Sequence, residues 1–101
     1  MPQTVPEKLI AAAKLFEERN RLYGDNYKNF GRAMTAMFPL GLQLTSESQH
    51  SRFAIFVQIL AKLTRYAENF TRGGHEDSLD DLSVYAQMLN ELDALEKEAK
   101  K

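Results

Sequence analysis

The segment SQHSRFAIFVQILAKLTRYAENFTR, from Ser48 to Arg72, contains neither glycine nor proline. A continuous helix of about 25 residues is close to 40 Å long, because each residue adds about 1.5 Å. Its first half is apolar on nearly every side, with Phe53, Ala54, Ile55, Phe56, Val57, Ile59 and Leu60. A helix that is apolar all round is typically buried all round. We therefore expect this long third helix at the centre of the fold.

Three further segments have apolar residues at intervals of three and four, the spacing of amphipathic helices. The first has the capping-box pair Thr4 and Glu7 at its start and Gly24 at its end. The second follows Asp25 and stops before Pro39. No segment alternates with period two, so we predict one all-α domain of four helices over residues 1–101. The predicted helices span about residues 5–23, 26–38, 46–72 and 78–99.

Composition excludes several classes of protein. The formal net charge of -1 argues against broad nucleic-acid binding, which needs a basic surface. The chain has no cysteine, so it has neither disulfides nor thiolate metal sites. The start MPQTVPEKLI lacks the features of a signal peptide, and the run FAIFVQIL is far shorter than the roughly 20 residues that span a bilayer. We expect a soluble protein of the cytoplasm that makes no membrane contact.

A chain of this length buries only about 60 to 65% of the surface that its unfolded form exposes, so it is marginally stable alone. We expect the extra apolar face of the third helix to meet a second copy, giving a homodimer or homotetramer. The alternative, in which the other three helices cover this face within a monomer, stays open.

Two lines of polar residues lie at the edges of apolar faces. Asp77, Asp81 and Tyr85 follow one another at intervals of four on the last helix, whereas Glu76 and Asp80 point to solvent. The third helix carries a matching stripe of Gln58, Lys62, Arg65 and Asn69. Polar groups on a largely buried helix must be paired or must line a wet cavity. Because a short Gly-Gly turn joins the two helices, we expect them to be antiparallel, with the two lines facing each other.

Two interpretations of this arrangement remain open from spacing alone. In the first, Lys62 or Arg65 forms an ion pair with Asp81, and Asp77 or Ser78 caps the last helix. In the second, the two cations bind phosphate, and the aspartates bind Mg²⁺ or orient a hydroxyl group. His75, on the turn before the last helix, is either a solvated residue or a ligand-binding one.

The segments RNRLYGDNYKNF, KLTR and HEDSLDDLSVYAQML resemble a small family of phage and prophage proteins described as MazG-like. The residues that carry this resemblance are Arg19, Tyr23, Gly24, Asp25, Asn29, Phe30, Lys62, Arg65, His75, Asp77, Ser78, Asp81 and Tyr85. Their order and approximate spacing are kept over roughly residues 10 to 90.

The resemblance implies an oligomeric, MazG-like helical bundle that cleaves (deoxy)nucleoside triphosphates to monophosphate and pyrophosphate with Mg²⁺. If the protein is phage-encoded, it would act in the host cytoplasm. The implied catalytic residues are Lys62, Asp77 and Asp81, of which the two aspartates would hold the metal. The implied substrate-binding residues are Arg19, Tyr23, Asn29, Lys62, Arg65, His75 and Tyr85.

The sequence departs from the family at one point. MazG enzymes surround magnesium with two pairs of carboxylates on neighbouring helices, whereas this chain has Gln58 and Lys62 where the third helix should supply acids. Three alternatives therefore stay open: a nucleotide kinase without a Walker loop, a non-enzymatic phage effector that binds a nucleotide or a host protein, and a nucleic-acid binder, which the net charge disfavours.

Overall fold

The computed structural model describes residues 1–24 and 26–100, apart from the side chains of Leu22, Tyr23 and Asn26. Within these residues there is no strand, and the prediction of an all-α fold with four helices is confirmed. The helices are α1 (Val5–Tyr23), α2 (Asn26–Met37), α3 (Glu47–Glu68) and α4 (Glu76–Ala99), with a one-turn 3₁₀ helix (Phe70–Arg72) between α3 and α4.

The helices α1 and α3 begin at side-chain caps. The hydroxyl of Thr4 accepts a hydrogen bond from the backbone N–H of Glu7 at 3.4 Å, and the Glu7 carboxylate accepts one from the backbone N–H of Thr4 at 3.3 Å. This is the reciprocal capping box that the sequence predicts. In the same way the hydroxyl of Ser46 accepts from the backbone N–H of Gln49 at 3.1 Å.

The third helix is shorter than its sequence suggests, because Asn69 ends it. The side chain of Asn69 donates to the carbonyl of Arg65 at 2.9 Å, and its own carbonyl accepts from the N–H groups of Arg72 and Gly74. Asparagine competes with the helical backbone for hydrogen bonds in this way. The 3₁₀ helix Phe70–Arg72 and the two glycines follow, and α4 begins at Glu76.

Helices α3 and α4 are antiparallel and form the main packed pair of the fold. Arg52, near the start of α3, pairs with Asp93 near the end of α4, and Lys62 further along α3 pairs with Asp81 further back on α4. Gly74 allows the tight turn between them. Its φ is +89°, and a Cβ atom there would lie 3.0 Å from Cε2 of Tyr66.

The two remaining helices differ in how they pack. Phe38, the residue that follows α2, packs on α3, and its ring lies edge-on to those of Phe56 and Phe53 with centroids 5.4 and 6.3 Å away. Helix α1 meets α2 through an edge-on contact between Phe16 and Tyr27 at 5.9 Å. Most of the apolar side of α1 stays exposed.

In the single chain, α3 is not buried on all sides as its composition predicts. Of the apolar residues that the structure describes, Leu60 alone is buried, with 3% of its surface exposed. Helices α2 and α4 cover two adjoining flanks of α3, and its third flank is open, with Ala54 and Gln58 exposed. Among residues 1–24 and 26–100, no helix is both long and apolar enough to cross a membrane.

Candidate functional site

The candidate site lies at the end of the α3–α4 pair that is nearest the glycine turn. Here Nζ of Lys62 lies 3.3 Å from Oδ2 of Asp81. The Lys62 side chain is only 15% exposed, whereas that of Asp81 is 54% exposed. The structure thus brings together one predicted cation and one predicted carboxylate, and the contact is the ion pair of the first interpretation.

Arg65 follows Lys62 by one helical turn and is half-buried, and its Nε atom is buried. Residues three apart on a helix share one side of it, so Lys62 and Arg65 place two positive charges on the same edge of α3. Gln58, which precedes Lys62 by one turn on this edge, is exposed. The predicted polar stripe is therefore unevenly covered, since Lys62 and Arg65 are half-buried and Asn69, at its end, is buried.

His75 is the N-cap of α4. Its Nδ1 atom accepts a hydrogen bond from the backbone N–H of Ser78 at 3.2 Å and lies 2.6 Å from the Ser78 hydroxyl oxygen. An Nδ1 atom that accepts a hydrogen bond carries no proton, so the ring has its proton on Nε2. The expectation that Asp77 or Ser78 caps this helix is wrong, because the helix begins one residue before Asp77.

Four further residues that the sequence predicts for the site are Asp77, Tyr85, Arg19 and Asn29. Asp77 is exposed in the first turn of α4, and Tyr85 is half-buried one turn after Asp81. Arg19 and Asn29 are exposed on α1 and α2, and neither forms a hydrogen bond or ion pair with Lys62 or Asp81 in the part of the chain that is described. The predicted contact of Tyr23 with a substrate lies outside the described side chains.

The described residues place few side chains together that could act as ligands for a metal ion. Within residues 1–24 and 26–100, no three His, Asp or Glu side chains form a group that could hold one. Asp77 and Asp81 are exposed on consecutive turns of α4. Mg²⁺ is commonly bound by one or two carboxylates together with substrate phosphates and water, so two carboxylates fit a metal that arrives with a phosphate ligand.

A second ion pair between α3 and α4, on the contact line between the two helices that we call the seam, was not predicted from the sequence. Nε of Arg52 donates to Oδ1 of Asp93 at 2.7 Å, and the two side chains are 36% and 40% exposed. A usable signal is present in the sequence. Residues at equal distances on either side of a turn face each other in an antiparallel helix pair, and both Lys62–Asp81 and Arg52–Asp93 are centred near residue 72, just before the two glycines.

No family model, no curated protein and no solved structure matches this chain. The resemblance to MazG-like proteins therefore rests on the motif residues alone.

Proposed function

We propose that this chain binds the phosphates of a (deoxy)nucleotide at the turn end of the α3–α4 pair. The observation that carries the proposal is the asymmetry of the Lys62–Asp81 contact. Lys62 is largely covered by protein, yet within the described residues its one ion-pair partner is the mostly exposed Asp81.

Lys62 carries a positive charge that the Asp81 contact uses only in part. The Lys62 side chain is largely covered, and one contact of 3.3 Å to a single carboxylate oxygen leaves its ammonium group further N–H donors. A phosphate chain offers several charged oxygens to such a group. Arg65, one turn along the same edge, adds a guanidinium, which matches phosphate oxygens in pairs.

Phosphate binding has a consequence for Asp81. When a phosphate binds Lys62, the Asp81 carboxylate loses its ion-pair partner. It then becomes available as a metal ligand, together with Asp77 one turn earlier on α4. We propose that these two carboxylates hold Mg²⁺ together with phosphate oxygens. Bound there, the ion would neutralise charge on the phosphates.

The reaction class that we propose is pyrophosphohydrolysis, in which water attacks a nucleoside triphosphate and the products are a monophosphate and pyrophosphate. This choice rests on the resemblance of the motif residues to MazG-like proteins. His75, Tyr85, Arg19, Asn29 and Tyr23 are proposed contacts to the rest of the nucleotide on the same ground.

Product analysis tests the proposal directly. The purified protein is incubated with pooled dNTPs, and separately with dNMPs and ATP, each with and without Mg²⁺, and the nucleotides are separated by anion-exchange chromatography. We expect new monophosphate and pyrophosphate from the dNTPs. New diphosphate from monophosphate would instead establish a kinase, and nucleotide retained without any product would establish a non-enzymatic binder.

A matched pair of variants tests the site itself. Lys62→Met removes the charge but keeps the length of a covered side chain. Arg52→Met removes the cation of the other ion pair on the same seam. We expect nucleotide binding, measured by calorimetry, to be lost in Lys62→Met and kept in Arg52→Met, with both variants folded by circular dichroism. Equal binding by Lys62→Met and the parent protein, or no nucleotide binding by the folded parent, overturns the proposal.

A further inference from the structure

An apolar patch lies on the open flank of the α3–α4 pair, away from α2. Three of its residues form a stripe along α4, and they are strongly exposed: Val84 is 59% exposed, Met88 42% and Leu95 58%. Leu92 of α4 and Ile55 of α3 complete the patch, and both are half-buried. Four of these residues line an open groove with a volume of about 620 Å³, and the polar residues Ser83, Gln87 and Glu91 complete its lining.

The position of the patch explains why its own chain does not cover it. Phe38 brings the end of α2 to the opposite side of α3, where it packs on Phe53 and Phe56. The chain therefore has one flank of the pair covered by α2 and the other left to solvent. Exposed apolar residues that occur singly are ordinary, but a contiguous stripe of them marks an interaction surface.

The accessible surface area of the whole chain indicates how much surface a partner could cover. Its accessible surface is 7981 Å². A compact monomer of 11.5 kDa has roughly 5,800 Å² by the usual scaling with mass, which leaves an excess of about 2,200 Å². The radius of gyration is 17.4 Å, whereas a compact chain of this length has about 12.7 Å.

This excess agrees with what a permanent homodimer buries. Such interfaces remove about 2,000 to 5,000 Å² in total from the two partners, and they are more apolar than transient ones. The excess belongs to the whole chain, including the exposed apolar side of α1, so a dimer centred on the patch would bury one part of it. Among the described residues, Leu60 is the one buried apolar side chain, so the fold needs a partner for its stability. A second copy is the one partner that is present whenever the chain is made.

We propose that the apolar patch is the centre of an interface with a second copy of this chain. The patch of one copy would face the patch of the other across a two-fold axis, since a closed dimer uses the same surface on both subunits. None of the five patch residues is charged. The exposed Glu91, which lines the same groove, would lie at the edge of the interface in contact with water, so that its charge stays hydrated. This inference does not depend on the proposed nucleotide site.

The interface would lie beside the charged end of the α3–α4 pair, by which we mean the turn end that carries Lys62 and Asp81. Lys62 follows Ile55 by seven residues on α3, and Asp81 precedes Val84 by three on α4, so each charged residue shares a side of its helix with a patch residue. The two-fold contact at the patch would leave the turn end of each α3–α4 pair at its border. One dimer would then carry two separate copies of the charged end.

Chemical cross-linking of single-cysteine variants tests the patch. The chain has no cysteine, so each introduced thiol reacts alone. Met88→Cys places one in the patch, and Leu79→Cys places one on the opposite side of α4, at a position with similar exposure, 45%. We expect a bis-maleimide linker to give a dimer with Met88→Cys and to leave Leu79→Cys monomeric. The reverse result, or equal cross-linking of both, overturns the proposal.

A second measurement needs no variant. Light scattering of the parent protein should give a particle of twice the 11.5 kDa chain mass, and its melting temperature should rise over a roughly hundredfold increase in concentration. Val84→Glu combined with Met88→Glu should abolish both effects, whether the variant stays folded or unfolds as a monomer, and Leu79→Glu should keep them. A parent protein that remains monomeric and melts independently of concentration overturns the proposal.

Discussion

Lys62 and Asp81 form an ion pair in which the cation is the covered partner and the anion is the exposed one. The side-chain exposures are 15% and 54%, and the contact distance is 3.3 Å. The neighbouring pair on the seam is different, because Arg52 and Asp93 are almost equally exposed and only 2.7 Å apart. The second pair is suited to holding the helices in register, whereas in the first pair a largely covered lysine side chain meets a carboxylate side chain that is more than half exposed.

The variant Asp81→Asn tests this difference. Without the carboxylate, Lys62 has no competing anion, so its affinity for pyrophosphate should rise when Mg²⁺ is absent. An ion pair of this exposure is worth about 1 kcal/mol at most, which corresponds to a gain of up to about fivefold. The further gain that Mg²⁺ gives the parent protein should disappear. Calorimetric titration with pyrophosphate, with and without Mg²⁺, measures both effects.

Asp93→Asn is the matched control for this prediction, because it removes the carboxylate of the other ion pair. It should leave pyrophosphate affinity unchanged in both conditions. If Asp81→Asn also behaves like the parent protein with and without Mg²⁺, Asp81 takes no part in binding and its contact with Lys62 is purely structural.

Two substitutions of His75 separate its structural role from a binding role. His75→Ala removes the acceptor for the Ser78 backbone N–H and should lower the free energy of unfolding by about 1 kcal/mol. His75→Asp supplies another good cap and should restore most of that stability. If the imidazole also contacts a nucleotide, His75→Asp will be stable yet weak in binding. Urea unfolding and nucleotide titration of both variants give the answer, and full binding by His75→Asp removes His75 from the site.

The fold could be predicted because its signals are local. The Thr4–Glu7 capping box starts α1, and the glycine pair at residues 73–74 makes α3 and α4 antiparallel neighbours. The end of α3 could not be placed as well. The periodic pattern runs on to residue 72, but the Asn69 side chain takes the Arg65 carbonyl and stops the helix earlier. A side chain that competes with the backbone does not disturb hydrophobic periodicity.

The sequence limits the candidate site to a few charged residues of α3 and α4, but it does not decide which of them are in contact. Spacing placed Lys62 and Arg65 opposite Asp77 and Asp81, and the structure pairs Lys62 with Asp81. Which cation meets which acid depends on the rotation of both helices about their axes, and sequence periodicity fixes this only within tens of degrees. The burial of α3 was overestimated for a related reason, since composition shows that a face is apolar but not what covers it.

The turn between α3 and α4 makes a prediction about Gly74. Its φ of +89° is strained for any residue with a Cβ atom, and an added Cβ would lie 3.0 Å from the Tyr66 ring. We expect Gly74→Ala to lower the free energy of unfolding by about 1 to 3 kcal/mol. Gly31→Ala is the control, because Gly31 lies within α2 and a Cβ there meets no atom within 4 Å. It should raise stability by up to about 1 kcal/mol.

Acid should weaken the fold through Glu96. The Ser48 hydroxyl donates a hydrogen bond to its carboxylate, Lys100 adds a second one, and together they hold the pKa of Glu96 below the ordinary value of 4.5. A carboxyl whose pKa is lower in the folded state stabilises the fold above the unfolded pKa, and this stabilisation is lost as pH falls through the folded pKa. Ser48→Ala removes the largest cause, so its deficit in unfolding free energy should be greater near pH 6 than near pH 3. Urea unfolding at both pH values, with Ser51→Ala as control, measures this deficit. A deficit for Ser48→Ala that is equal at both pH values would show that Ser48 stabilises the fold without acting on Glu96.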